Sequence, residues 1–269
     1  MTARTIRRPA AAGTFYPGDA AALAAAVDGL LAKAAAHVAP GQAAPPKALV
    51  VPHAGYVYSG PVAASAYALV AAAPRVLRTV VLLGPAHFVP SWGAAVPVAT
   101  AWATPLGEIP VDATLREVAA AAGATVDDLP HEPEHALEVQ LPFLQRTLGN
   151  GFSILPVAVG TMATSEAADL VAALWGGGDT LVVVSTDLSH YYDLATARRL
   201  DRRTTDAVLA RDPEAIGPDD ACGAFALRGV LEHARRQGLP ARLLDLRTSG
   251  DTAGDQRSVV GYGAFAIGA

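Results

Sequence analysis

Short apolar runs rich in valine and leucine, each ending abruptly in glycine, proline or histidine, alternate along this chain with longer alanine-rich segments of scattered charge. A strand that is apolar throughout must be covered on both faces, and the segments between the runs supply that cover. The alternation predicts an α/β fold with a central mixed, largely parallel sheet flanked by helices. Strands are expected at Ala48–Val51, Thr79–Leu83, Phe152–Val159, Thr180–Val184, Ala241–Leu246 and Val259–Ile267. Pro156 inside the third asks for a bulge or an edge. Helices are expected at Ala20–Ala36, Pro61–Ala72, Asp112–Ala122, His135–Arg146, Ser165–Trp175, Ala195–Ala210 and Ala221–Gln237. Asp112 and Ser165 read as N-caps, Gly123 and Gly238 as stops. Val38–Lys47, with three prolines, reads as a flexible connection. No repeat and no charge shift divides the 269 residues, which predicts a single domain over residues 1–269.

Composition closes off several functions. The formal charge of −5 leaves no basic footprint for nucleic acid, and 6% aromatics leave few stacking platforms. With 52% hydrophobic and 17% charged residues, the chain can bury a large core. The alanine-rich stretch from Ala20 to Ala36 is cut by Asp28 and Lys33, so it reads as an amphipathic core helix rather than a membrane span. Arg4, Arg7 and Arg8 precede no apolar segment, which argues against a signal peptide. A single cysteine, Cys222, excludes an intrachain disulfide framework and fits a reducing, cytoplasmic home. The apolar content leaves room for a homo-oligomer surface.

Chemistry gathers where strands end. His53 follows the Ala48–Val51 run by two residues, His87 follows Thr79–Leu83, and Asp187 and His190 follow Thr180–Val184. Open α/β sheets bind ligands outside the carboxyl ends of their strands. Three independent strand ends thus deliver His53, His87 and the Asp187/His190 pair to one edge. A lone histidine after a strand more often caps a turn, but three beside glycine or proline favour a shared site. Cys222 stands where a helix begins, a position that lowers a thiol's pKa, although a small buried apolar residue is the commoner fate of a free cysteine.

The stretch from His131 to His135 formally fits the zinc-protease pattern H-E-x-x-H. That pattern needs both histidines on one unbroken helix, and Pro133 suits only a first helical position. What remains is His135 and Glu138 on one helix face, either as partners at the site or as a surface ion pair. Tyr56 and Tyr191 could line a pocket, and the turn-rich loop Thr248–Asp255 could close over it. No G-x-S-x-G elbow, no P-loop and no G-x-G-x-x-G occurs.

Taken in order, several blocks resemble the Memo family, named for a mediator of cell motility, and its bacterial relatives called AmmeMemoRadiSam system protein B. They are Arg8-Pro9-Ala10, Ala12–Pro17, Pro52–Tyr56, Tyr58-Ser59-Gly60, Leu83–His87 and Thr104–Gly107, followed by Glu134–Phe143, Ser185–Tyr191, Cys222-Gly223 and Thr248–Asp251. The resemblance runs over nearly the whole chain. It implies a fold like that of class III extradiol dioxygenases and a metal held by His53, His87 and Cys222. It also matches Asp187 and His190 to the family's later Asp and His, a region where the dioxygenases use a histidine as acid/base, and places His135 in the site. The dioxygenases complete their site with a carboxylate, where this chain would offer a thiolate.

Two imidazoles and one anion leave coordination positions open, the grammar of a catalytic centre. The expectation is a non-haem Fe(II)-dependent oxygenase or oxidase taking dioxygen and a small molecule, aromatic ones included. Cu or Zn would also suit a thiolate. His190 would move a proton and Asp187 would fix its tautomer or position, with His135 as a second proton carrier or an anion-binding donor. The rivals are an adaptor that binds metal or peptide without turnover, as animal members of the family are described, a zinc-dependent hydrolase, and simple metal buffering.

Overall fold

The structure, a computed structural model, describes residues 5–37, 46–72 and 76–268. Residues 38–45 of the expected connection lie outside these. In chain order the elements begin with β1 (Ile6–Arg7), α1 (Ala20–Ala35), β2 (Ala48–Val51), α2 (Tyr56–Ala71), β3 (Thr79–Gly84), β4 (Ala94–Val96) and β5 (Ala101–Thr104). Next come β6 (Gly107–Pro110), α3 (Ala113–Ala121), β7 (Thr125–Val126), α4 (Leu141–Leu148), β8 (Ser153–Val159), α5 (Thr164–Leu174) and β9 (Thr180–Ser185). The chain finishes with β10 (His190–Tyr192), α6 (Leu194–Ala210), α7 (Ala224–Arg236), β11 (Ala241–Thr248), α8 (Ser249–Thr252) and β12 (Val259–Ile267).

The main sheet has the order β10-β12-β2-β9-β3-β8-β4-β7, with β11 along the other side of β12. Its four central strands, β2, β9, β3 and β8, run parallel, while β12 and β4 flank them antiparallel. The central strands are buried almost throughout, as their apolar runs require. α1, α2 and α4 pack together, α3 and α7 pack on α5, and α6 lies against β11 and β12. A smaller sheet, β1-β5-β6, carries the N-terminal segment. No helix among the described residues is long and apolar enough to cross a membrane.

All six expected strands are present. Pro156 sits where β8 is locally an edge, because its outer side meets Val111 at Ile154 and β4 only at Ala158 and Val159. Asp112 caps α3 as expected, accepting the Leu115 N–H at 3.0 Å. Three expectations need correction. α2 begins at Tyr56 rather than Pro61, because Tyr56 packs into the core between Tyr16 and Phe143. α5 is capped from Ala163 rather than Ser165, Glu166 accepting the Ala163 N–H at 3.1 Å. His135 lies in no helix: a 3₁₀ turn at Glu138–Gln140 leads into α4, where Pro142 takes the opening turn that Pro133 was expected to take.

Two glycines let main chains close on the end of β9. A Cβ on Gly84 would lie 2.8 Å from Leu137 Cδ2 and 3.3 Å from Ser185. One on Gly223 would lie 2.8 Å from the Ser185 carbonyl oxygen. The start of α7 can therefore approach β9 only because residue 223 has no side chain.

Candidate metal centre

The carboxyl ends of β2, β3 and β9 bring their following residues to one edge. Ligand atoms of His53, His87 and Cys222 all lie within 4.8 Å of one another. The His53 Nε2 to Cys222 Sγ distance is 3.2 Å. Ligands at about 2.0 Å (nitrogen) and 2.3 Å (sulfur) from one ion lie about 3.1–3.6 Å apart, so this pair fits a shared cation.

The surrounding hydrogen bonds fix which ring nitrogens face the site. Gln140 Nε2 donates to the Pro52 carbonyl and to Ser185 Oγ, and Gln140 Oε1 accepts from the Tyr67 hydroxyl. The Ser185 hydroxyl donates to the Ala136 carbonyl at 2.6 Å, since a carbonyl can only accept. Ser185 Oγ therefore accepts from His53 Nδ1–H at 2.9 Å, and His53 Nε2 is left bare. His87 Nδ1 lies 2.9 Å from Glu134 Oε1. Burial alone would raise the Glu134 carboxyl, but hydrogen bonds from the His87 ring and from the Ala136 and His87 N–H groups hold it down near 2. An ionised Glu134 accepts, so His87 also presents a bare Nε2. Outer partners of this kind orient metal-binding imidazoles.

His53 is buried, and burial first, then the neighbouring His87, lowers it to about 3, so the ring is neutral. Cys222 is not the acidified thiol its place beside a helix start suggested. Burial, then the Asp187 carboxylate, pushes it up to about 12. The Asp187 N–H donates to Sγ at 3.2 Å. A half-buried thiol beside two bare imidazole nitrogens is a set of donors suited to a cation that displaces the thiol proton.

His135 joins the cluster. Its ring stacks between Phe15 and His87, with centroids at 4.2 and 5.0 Å, and lies edge-on to His53 at 5.5 Å. Burial, then His53, lowers it to about 4. His190 stands close enough to Asp187 and His53 to act on both electrostatically. The expected hydrogen bond between them is not formed; Asp187 Oδ1 instead accepts the His53 main-chain N–H at 2.7 Å.

Glu138 departs from both of its expectations. It is fully buried, and it accepts from Arg7, the Ala10 and Ala11 N–H groups and the Tyr16 hydroxyl. Tyr56 is likewise a core residue, donating to the Val139 carbonyl, whereas Tyr191 is exposed at the tip of a bulge in β10. His131 is buried against Trp102, with Nε2 3.2 Å from the Ala95 carbonyl, and takes no part in the cluster. The residues that sequence reasoning missed are Glu134, Ser185, Gln140 and Arg7. Glu134, Gln140 and Ser185 lay inside blocks that carry the family resemblance but were given no role, and Arg7 carried no signal.

Asp201 on α6 holds the segment that carries His190. Its Oδ1 accepts the Ser189 N–H at 3.0 Å, and its Oδ2, packed on Gly261, has no partner. Burial raises this carboxyl to about 6. A raised folded-state value means that stability is full below the unfolded value and is lost as pH rises through 6, by about 3 kcal/mol at most. Asp201→Asn keeps the acceptor and removes the charge. Urea unfolding should therefore show a gain of about 1–2 kcal/mol at pH 8 and little change at pH 4; equal changes at both would contradict this.

The Memo-like protein family model matches residues 7–266. A MEMO1 family protein of Nitrosopumilus maritimus is 34% identical, covering 97% of this chain and 98% of its own. One of Archaeoglobus fulgidus is 35% identical over 96% and 97%, and one of Aquifex aeolicus gives the same identity over the same shares. The crystal structure of an uncharacterised Escherichia coli K12 protein shares the fold with a TM-score of 0.52 at 15% identity, over 80% of this chain and 98% of that one. The architecture is the class III extradiol dioxygenase-like α/β fold that the sequence blocks implied. With the strand ends, the histidines and the cysteine all inside a match that runs from the first strand to the last, the chain belongs to the Memo family.

Proposed function

We propose that this protein holds a catalytic metal at His53 Nε2, His87 Nε2 and Cys222 Sγ and uses it for oxygenase or oxidase chemistry on a small molecule, aromatic ones included. The observation that carries the proposal is the convergence of one ligand atom from each of these residues within 4.8 Å, on rings whose Nδ1 atoms are engaged by Ser185 and Glu134. Three protein ligands leave room for substrate. Fe(II) is the first expectation, with Cu or Zn as alternatives because a thiolate is a softer ligand than a carboxylate. When bound, Fe(II) supplies the redox partner for dioxygen.

The chain's own residues do the rest. His190, half-buried at the edge of the cluster, is the group that moves a proton to or from substrate. Asp187 fixes the His53 main chain by accepting its N–H. His135, neutral and wedged between Phe15 and His87, offers a ring nitrogen to a polar substrate group. The aromatic faces of Phe15 and Phe88 beside His135 suit a flat, apolar molecule.

The test is metal analysis of anaerobically purified protein followed by oxygen consumption against a panel of catechols. One iron per chain with metal-dependent uptake is the expected result. Bound metal with no uptake on any substrate would favour the adaptor reading. Turnover that persists without oxygen would favour zinc-assisted hydrolysis.

A further inference from the structure

Glu134 raises a question that the first centre does not answer. Its side chain is fully buried, and its ion-pair partners among the described residues are two histidines. Arg7 reaches only its main-chain carbonyl, at 2.6 Å. Buried carboxylates are ordinarily matched by a cation or a metal. On the other side, His135 Nδ1 is buried and has no hydrogen-bond partner, although it lies 3.3 Å from Glu134 Oε1. A buried ring nitrogen and a carboxylate oxygen thus face each other at 3.3 Å without an aligned hydrogen bond between them.

We propose that Glu134, His135 and the second ring nitrogen of His87 form a further divalent-cation site, beside the first and joined to it through His87. Ligand atoms of these three residues all lie within 4.8 Å of one another. The separations around Glu134 Oε1 are 2.9 Å to His87 Nδ1 and 3.3 Å to His135 Nδ1. Neighbouring nitrogen and oxygen ligands about 2.1 Å from an ion lie about 2.9–3.4 Å apart, so both pairs match.

The ligand set names the class of ion. Two imidazoles and one carboxylate suit Zn²⁺, Co²⁺, Fe²⁺ or Mn²⁺; all-oxygen Ca²⁺ sites and soft Cu(I) sites are built differently. Binding displaces the proton that His87 Nδ1 now shares with Glu134, and that proton leaves to solvent. His87 would serve both sites, one ring nitrogen to each. Cys222 belongs only to the first site and His135 only to the second, so the two assignments fail separately.

The experiment is an anaerobic titration of metal-stripped protein with Co²⁺, reading bound metal per chain after desalting and the sulfur-to-cobalt absorption band. Wild-type protein should bind two ions and show the band. His135→Ala should bind one and keep the band; Cys222→Ser should bind one and lose it. A wild-type count of one, or a His135→Ala count of two, overturns the second site. Loss of the band alone would instead count against the first site. Should His135→Ala fail to fold, the Cys222→Ser count decides: one ion supports the second site and none overturns it.

Discussion

Arg7→Met is expected to destabilise the protein by about 3–5 kcal/mol, because it leaves a buried anion without its cation. The Arg7 side chain is almost wholly enclosed, and its guanidinium lies 4.2 Å over the Trp102 ring. Nε donates to the His131 carbonyl at 2.7 Å, and the terminal nitrogens donate to Glu138 Oε2 and to the Glu134 carbonyl, each at 2.6 Å. Methionine fills much of the same volume but supplies none of these bonds. Glu138 would keep its bonds from Ala10, Ala11 and Tyr16 yet lose its charge partner. The Tyr16 hydroxyl does not relieve this, since burial and then Glu138 itself push its ionisation far up, so it remains a donor. Urea unfolding at neutral pH measures the loss; a change below about 1 kcal/mol would contradict the assignment. Adding Glu138→Gln should recover part of it, since the two charges are directly coupled.

Cys222→Ser should lower metal affinity at the first centre by more than about 100-fold, since loss of an orienting neighbour alone costs about 10–100-fold. Serine is close in size, but its hydroxyl is a far poorer anion than a thiolate under a metal's pull. Ser185→Ala should fall in the about 10–100-fold range, because it frees the His53 ring while leaving every ligand atom in place. Competition with a chelator of known affinity reads both. Equal affinity in Cys222→Ser and wild type would remove the sulfur from the ligand set. The graded order separates holding the ion from aiming the groups that hold it.

What could be read from the sequence was what local chemistry dictates. The run at Ala48–Val51 is apolar at every position, and such a strand has nowhere to go but the middle of a covered sheet. His53 and His87 followed directly, because ligand positions on this architecture lie just past such strands. Cys222 entered the ligand set through resemblance to known sequences, not through its spacing. The stretch from Glu134 to Glu138 was the least legible. Its residues carry a helical pattern, yet the conformation there is set by Arg7, which binds three carbonyls of residues 131–134 from more than a hundred positions away. A single polar network of that reach outweighs local propensity and leaves no periodic trace. The same distance hid Glu134, whose role depends on where His87 comes to rest.

The absence of side chains at Gly84 and Gly223 has a consequence for how this centre tolerates change. On the Cys222 side the span is gauged by the Gly223 peptide resting on the Ser185 carbonyl, and on the His87 side by Leu137 and Ser185 closing on bare Gly84. Substitutions in the oily layers away from Leu137 can then shift and settle while the calliper that grips the ion keeps its opening.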